Sequence, residues 1–352
     1  MYPVDIVISD EGHGPESGNL NIIGKLMTTK GEATVVKHTG SHYMLAQLPD
    51  WNLFPAVLRG KIRLKGSTAT NPVAVGDKVI FEAEVPEIDA VVADSVTLEN
   101  PAVITSVQPR KNYIIRKSTN LSRQAHVIAA NLDRAFIIAT IDYPEIKLPF
   151  LDRILVTCEV YNIPVTIVLN KVDLYRESHK EMLEAFHEIY EGAGYPVMEV
   201  SALTGEGVDE LRRACKGNVS LFSGVSGVGK SSLIKALDPS LNPRVGEISD
   251  VHLQGKHTTT FYEMYALTVS EDSGFIVDTP GLRGFGLVDL KKEEIALYFP
   301  EMLKASENCR FTPCTHTHEP GCAVKEAVEN GEISYERYSS YLGMLDEEGK
   351  YR

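Results

Sequence analysis

In the second half of the chain, Gly224-Val225-Ser226-Gly227-Val228-Gly229-Lys230-Ser231 has the spacing of a phosphate-binding loop, G-x-x-x-x-G-K-S, with Ser232 next to it. Glycines at these positions let the backbone curl so that successive N–H groups point at phosphate oxygens. The Lys230 ammonium can reach the β- and γ-phosphates of a nucleoside triphosphate, and the Ser231 hydroxyl can bind Mg²⁺. Asn218–Phe222 before the loop reads as a short buried strand, and Ser232–Leu237 after it as the start of a helix. That context places the phosphates at a helix N-terminus, where partial positive charge favours anions.

Two stretches upstream bear on the base. Asn170-Lys171-Val172-Asp173 is an N-K-x-D motif at the end of an apolar run. The Asp173 carboxylate can accept from guanine N1–H and N2–H₂, and adenine has no such donor pair to satisfy it. Asn170 can bond the polar edge of the base or brace the loop, and the Lys171 stem can lie along the base plane. Ser201-Ala202 then offers a backbone N–H to guanine O6. Two stretches downstream bear on the γ-phosphate. Gly255-Lys256-His257-Thr258-Thr259-Thr260 has three candidates for the threonine that ligates Mg²⁺, of which Thr259 is preferred. Asp278-Thr279-Pro280-Gly281 supplies a carboxylate, Asp278, to hold Mg²⁺ through water, and a backbone N–H at Gly281 for the γ-phosphate. Loss of that phosphate would free both loops. The residue after Gly281 is Leu282, which cannot orient an attacking water. His257 is the nearest polar group that could, and it reads equally well as a solvated loop histidine.

A third set lies near the end. Between Cys309 and Cys322 the chain has three cysteines, Cys309, Cys314 and Cys322, and two histidines, His316 and His318. Three thiolates with one imidazole form a closed tetrahedral Zn²⁺ site, which leaves no position for water and is therefore structural. An irregular segment of this kind has little core, so metal binding would drive its folding.

The elements that position these groups are legible as patterns. From Arg134 onward, buried apolar runs (134–141, 164–169, 196–200, 218–222) alternate with helical spacing (150–161, 177–193, 208–214). This alternation predicts a mostly parallel sheet with helices on both faces, and the motifs fall at the carboxyl ends of its strands. Residues 260–269 and 274–277 read as a further hairpin, and 323–329 and 334–347 as helices. Residues 22–117 show short β runs between Gly, Pro, Asn and Asp turns, which suggests a small closed barrel of the oligonucleotide-binding type. Trp51, Phe54 and Tyr43 could stack on bases there or fill the core. Residues 118–131 read as a polar connection. Tyr335, Arg337, Tyr338 and Tyr341 fit packing better than RNA contact.

The net charge of −13 argues against a general nucleic-acid binder, yet residues 22–117 hold twelve Lys/Arg against nine Asp/Glu. Arg59, Lys61, Arg63 and Lys65 could form a locally basic face or a solvated strand edge. Five cysteines are too few and too unevenly placed for a secreted disulfide framework, so a cytoplasmic location is expected. No stretch has the length and apolarity of a membrane span. Residues 1–21 carry acids, Gly and Ser and are expected to form a flexible leader.

The base, phosphate and switch motifs together resemble those of a GTPase in permuted order, with N-K-x-D and S-A ahead of the phosphate loop. With the barrel before and the Cys/His cluster after, the chain resembles the small ribosomal subunit-dependent GTPase family over roughly residues 22–345. The specific stretches are R-G-K-x-R (59–63), V-G-D-x-V (75–79), I-A-A-N-x-D (128–133), H-T-T-T (257–260) and D-T-P-G-L-R-G-F-G (278–286). The resemblance selects His316 over His318 as the fourth zinc ligand. It implies a barrel domain over 22–117 that binds RNA, a circularly permuted GTPase domain over 118–290 and a zinc-bound helical domain over 291–352. It further implies hydrolysis of GTP to GDP and phosphate, slow alone and stimulated by the small (30S) ribosomal subunit with its rRNA, late in that subunit's maturation. A monomer is expected. Leu282 leaves a second reading, an RNA-binding assembly chaperone with the guanine nucleotide as a passive ligand. An ATP-using kinase is opposed by N-K-x-D.

Overall fold

The computed structural model describes residues 26–39, 42–60, 72–86, 92–117, 125–241, 262–267, 274–279 and 290–348. Five strands make the expected closed barrel: β1 (Leu26–Thr39), β2 (His42–Ala46), β3 (Leu53–Leu58), β4 (Lys78–Pro86) and, after the single turn α1 (Val92–Ser95), β5 (Ala102–Val107). Their order is β1-β2-β3-β5-β4, and β1 closes the ring by pairing with β4 from Leu26↔Pro86 to Thr34↔Lys78. All neighbours are antiparallel except β3 and β5. The alternation in β4 sends Val79, Phe81, Ala83 and Val85 inward to meet Leu45, Phe54 and Ile104. Burial removes two of the three aromatics that could have stacked on bases. Phe54 and Tyr43 lie in the barrel core, and Trp51 stacks on Phe275 at 5.6 Å. Of the basic cluster, Arg59 pairs with Glu82 at 2.5 Å, and Lys61, Arg63 and Lys65 fall outside the described residues.

The polar connection expected over 118–131 is corrected from Ala125 onward. There β7 (Ala125–Ala130) pairs antiparallel with β6 (Tyr113–Lys117). Val127, Ile128, Ala129 and Ala130 are buried, and the polar residues before them hide the apolar run from a composition-based reading. This hairpin stitches the barrel to the next strand, which begins at Arg134. Gly76 has φ +87, and a Cβ there would sit 2.0 Å from the Ala130 carbonyl oxygen. Asn131 donates to that glycine's carbonyl at 2.9 Å. Asp77 next to it is buried and takes Arg110 through two bonds of 2.6 and 2.7 Å. The V-G-D-x-V and I-A-A-N-x-D stretches are thus two halves of one junction.

Next come β8 (Arg134–Ala139), α2 (Leu148–Val160), β9 (Val165–Leu169), α3 (Val172–Tyr175), α4 (Lys180–Gly192), β10 (Val197–Glu199), α5 (Val208–Cys215), β11 (Val219–Gly224), α6 (Lys230–Leu237), β12 (Glu263–Leu267) and β13 (Gly274–Asp278). The sheet order is β10-β9-β8-β11-β13-β12, with only the edge strand β12 antiparallel, so the expected 260–269/274–277 hairpin is present. One layer packs α2 and α4 on the sheet, and the other packs α5 and α6. β12 also pairs with β1 at Lys37↔Glu263, which makes the barrel and this sheet hydrogen-bonded neighbours.

The C-terminal part comprises α7 (Lys292–Ile295), α8 (Pro300–Ser306), α9 (Ala323–Glu329) and α10 (Tyr335–Glu348). Phe299, Met302, Tyr341 and Met344 form its core with Val156 of α2. Arg337 is fully buried and donates to Asp152 of α2 at 2.7 Å and to Glu301 at 2.9 Å, which makes it a packing residue. Tyr341 is likewise buried, while Tyr335 is 69% exposed. No helix among the described residues is long and apolar enough to cross a membrane.

Candidate nucleotide and metal sites

β11 lies between β8 and β13, so the loop at its carboxyl end sits in the middle of the sheet. The loop's geometry demands its glycines at two points. Gly229 caps α6 with φ +85, and a Cβ there would meet the Asn170 amide nitrogen at 2.5 Å. Gly224 passes so close to β8 that a Cβ would lie 2.6 Å from the Ile138 carbonyl oxygen. Ser226 and Gly227 are exposed, whereas Val228 turns into the core with Leu233 and Ile234 and anchors the loop from beneath.

The N-K-x-D residues stand against this loop. The buried Asn170 side chain donates to the Val228 carbonyl at 2.8 Å and accepts from the Ala202 N–H at 3.1 Å. One amide therefore joins the phosphate loop, N-K-x-D and S-A, and of the two roles open to Asn170 the loop brace is the one it plays here. Lys171, at φ +66, donates to the carbonyls of Tyr143 and Gly227 at 2.6 and 2.7 Å. Asp173 is exposed, and the Ser201 hydroxyl donates to its Oδ1 at 2.5 Å. A hydrogen bond to one oxygen fixes the carboxylate plane and leaves the group free to accept more. Two roles here escape sequence reasoning. The Ser201 side chain orients Asp173, whereas the S-A motif speaks only for a backbone N–H. The buried Tyr175 hydroxyl donates to the Asn170 carbonyl at 2.8 Å and holds the turn from below. Tyr175 lies just two residues past Asp173, but nothing in its type announces that bond.

At the end of β13, Asp278 contacts the Lys230 ammonium, which brings the two charged groups of the phosphate and switch motifs together. Thr279 turns inward, with its hydroxyl 2.9 Å from Ser223 Oγ and donating to the Phe222 carbonyl at 3.1 Å. The Asp278 carboxylate and the Ser231 hydroxyl at the first turn of α6 are oxygen ligands of the kind Mg²⁺ takes, and the Lys230 ammonium suits the phosphates beside it. His257, Thr259 and Gly281, with Leu282, lie outside the described residues.

The Cys309, Cys314, His316 and Cys322 ligand atoms all lie within 4.8 Å of one another. His316 Nδ1 is 3.3 Å from Cys322 Sγ and 3.7 Å from Cys309 Sγ, and the two sulfurs are 4.0 Å apart. Tetrahedral zinc with ordinary bond lengths calls for separations of about 3.6–3.8 Å, so the residues fit that ion. His316 is buried, while His318 is exposed and bonds Thr317. Tyr338 and Tyr341 donate to the carbonyls of His316 and Thr315, each at 2.6 Å. Burial works against the charge of Glu319, but donors from Thr315 and from the backbone outweigh it and hold its carboxyl down to about 2. The two remaining cysteines lie apart from this cluster, Cys158 in the core on α2 and Cys215 in the core on α5. Burial pushes the Cys158 and Cys215 thiols up to about 12, so they stay protonated core groups.

Known proteins resemble this chain in sequence and in fold. A model of the RsgA GTPase family matches residues 107–288. The chain is 49% identical over 320 residues to a small ribosomal subunit biogenesis GTPase RsgA of Bacteroides fragilis, covering 90% of this chain and 98% of that protein. A relative of the same name from Porphyromonas gingivalis is 44% identical over 321 residues, 91% of this chain and 98% of its own. Among solved structures, YjeQ from Thermotoga maritima superimposes with a TM-score of 0.72 at 32% identity, covering 92% of this chain and all of its own. YloQ, described as a circularly permuted GTPase, shares the fold with a TM-score of 0.67 at 24% identity over 92% of this chain and 96% of its own. The permuted motif order therefore has a structural counterpart in a whole fold, and the chain belongs to the RsgA GTPase family of GTP-hydrolysing enzymes.

Proposed function

We propose that this protein hydrolyses GTP to GDP and phosphate while bound to the small ribosomal subunit, late in its assembly, and that contact with the subunit accelerates turnover. The observation that carries the reading is the Asn170 amide, which hydrogen-bonds the phosphate loop and the S-A loop at once. Guanine recognition and phosphate binding are thereby built as one rigid unit. The names of the relatives supply the subunit, and the barrel followed by a compact Cys/His segment supplies surfaces for its rRNA.

In this reading the backbone N–H groups of Gly224–Ser231 hold the β- and γ-phosphates, with Ser232 at their edge. Lys230 neutralises the charge that develops between them. Asp173, oriented by Ser201, accepts from the guanine ring, and the Ala202 N–H meets O6. Ser231, Thr259 and Asp278 would hold Mg²⁺, which would offset the charge of the phosphates. Gly281 senses the γ-phosphate. Leu282 leaves the attacking water unoriented, so His257 or a group of the subunit performs that task. Cys309, Cys314, His316 and Cys322 would hold one structural Zn²⁺, which would tie the segment around it to the core of the C-terminal helices. The protein works as a cytoplasmic monomer.

GTP turnover measured with and without purified small subunits tests the proposal. Stimulation of tenfold or more is expected from ~1.4 kcal/mol or more of added transition-state stabilisation. Equal rates would refute subunit dependence and favour the passive-ligand chaperone.

A further inference from the structure

Asp278 is tied to the barrel by a row of paired residues. On β13 it pairs with Glu263 of β12, and Glu263 pairs with Lys37 of β1. Directly opposed residues of antiparallel strands share a face, with Cα atoms about 4.5–5.5 Å apart. Which face is given by the neighbours. Ile276 and Leu267, in phase with Asp278 and Glu263, pack with Leu233 and Ile234 of α6. Met264 and Val277, out of phase, pack on the other side. Glu263 therefore stands beside Asp278 on the side of the sheet that carries the phosphate loop. Lys37 meets this second acid, its Nζ 2.6 Å from Glu263 Oε1, and Tyr265 donates to Oε2 at 3.4 Å. Both side chains of the ion pair are about three-quarters buried, with exposures of 25% and 23%. With Lys230 on Asp278, the row holds two neighbouring acids, each met by a lysine on its outer side. Lys37 and Glu263 line a cleft of about 630 Å³ between barrel and sheet together with Tyr265 and Leu241, and apolar walls strengthen charge interactions within it.

We propose that Lys37, a residue of the barrel, is a positioning residue for the nucleotide site: it neutralises Glu263, so that Asp278 is the one acid of this row left to the cation and phosphates. The inference rests on the assignment of Asp278 to the Mg²⁺–GTP site. Its consequence is that the barrel governs nucleotide affinity. A barrel drawn away from β12 leaves Glu263 uncompensated near the phosphates, and the nucleotide is held less tightly.

The test uses the full chain, a fluorescent non-hydrolysable GTP analogue at saturating Mg²⁺, and thermal melting without nucleotide. One uncompensated charge acting on the doubly negative Mg²⁺–nucleotide across about 8–10 Å predicts analogue affinity weaker by roughly 5- to 30-fold in Lys37→Met. Lys37→Arg should bind within about twofold of the parent, because it keeps the charge. Lys37→Met combined with Glu263→Gln should recover to within about threefold, whatever its melting temperature, because the repelling charge is gone. Unchanged affinity in Lys37→Met, or no recovery in a folded double variant, would overturn the proposal and leave the pair as a strand staple. If Lys37→Met does not fold, Glu263→Gln alone decides: affinity tighter than the parent supports the inference, because the Lys37 charge is then left to the phosphates, and equal or weaker binding overturns it. A parent protein that binds the analogue without any Mg²⁺ dependence would instead sink the nucleotide-site assignment, a result separate from any of these.

Discussion

Replacing Arg337 by Met tests the joint between the C-terminal helices and the GTPase domain. The guanidinium is fully buried and makes three bonds to two acids: 2.7 Å to Asp152, and 2.9 and 3.3 Å to Glu301. Phe299 lies against it at 4.6 Å, and Tyr195 at 5.4 Å. Methionine fills most of the volume but leaves two buried carboxylates without their cation. Breaking a buried pair in this way costs about 3–5 kcal/mol, a large share of the ~5–15 kcal/mol that holds a domain folded. Burial already pushes the Asp152 carboxyl above its ordinary range, although Arg337 pulls it down. Once the arginine is gone, burial alone acts on Asp152 and its folded pKa stays above the unfolded one. The variant is then most stable when Asp152 is protonated, and it loses stability as pH rises through that folded value. The measured deficit should therefore grow from pH 5 to pH 8. Urea unfolding followed by circular dichroism gives the deficit, and limited proteolysis of residues 290–348 locates it. Adding Asp152→Asn and Glu301→Gln should recover most of the loss, because the stranded charges are removed. A loss under about 1 kcal/mol, or one that does not change with pH, would refute the account of a buried charge joint.

Other expectations concern the two sites. Asp173→Asn should cut GTP affinity by at least tenfold, as the loss of a charged hydrogen bond worth about 1.5–3 kcal/mol implies, and raise affinity for xanthosine triphosphate; competition binding measures both. Gly229→Ala should weaken nucleotide binding by a similar factor, because the methyl group displaces the Asn170 amide and the backbone there needs a positive φ; isothermal titration of GDP checks it. His316→Ala or removal of metal by a chelator should lower the melting temperature and expose residues 290–348 to protease, whereas His318→Ala should leave both unchanged. Metal analysis should give one Zn²⁺ per chain, and a content unaffected by His316→Ala would show the wrong histidine was chosen. Proteolysis of the same segment should also differ between GDP and a non-hydrolysable GTP analogue, since the strand ending at Asp278 runs directly toward it in sequence.

What the sequence alone determined is what local backbone geometry and side-chain chemistry require. A phosphate loop needs glycines at set intervals, guanine needs an acid after a strand, and zinc needs closely spaced thiolates, so each motif declares itself within a few residues. The barrel and the alternating sheet were legible for a similar reason, because burial on one or both faces leaves a period in the apolar residues. Contacts between distant segments leave no such period. Nothing in Asn170 says that its amide will reach across 58 positions to Val228, and nothing in Lys37 foretells Glu263, 226 positions away. The Val127–Ala130 strand was hidden by the polar residues before it, and Arg337 carries no sign in its neighbours of Asp152, 185 positions away. Even the phosphate loop changed meaning in this way. As sequence it reads as a site for a triphosphate; folded, it is bound through Asn170 to the N-K-x-D and S-A loops and through Asp278 to the strand pair that touches the barrel. Tertiary structure decided these couplings because they depend on which strands become neighbours, and that is settled by how the whole sheet buries its faces.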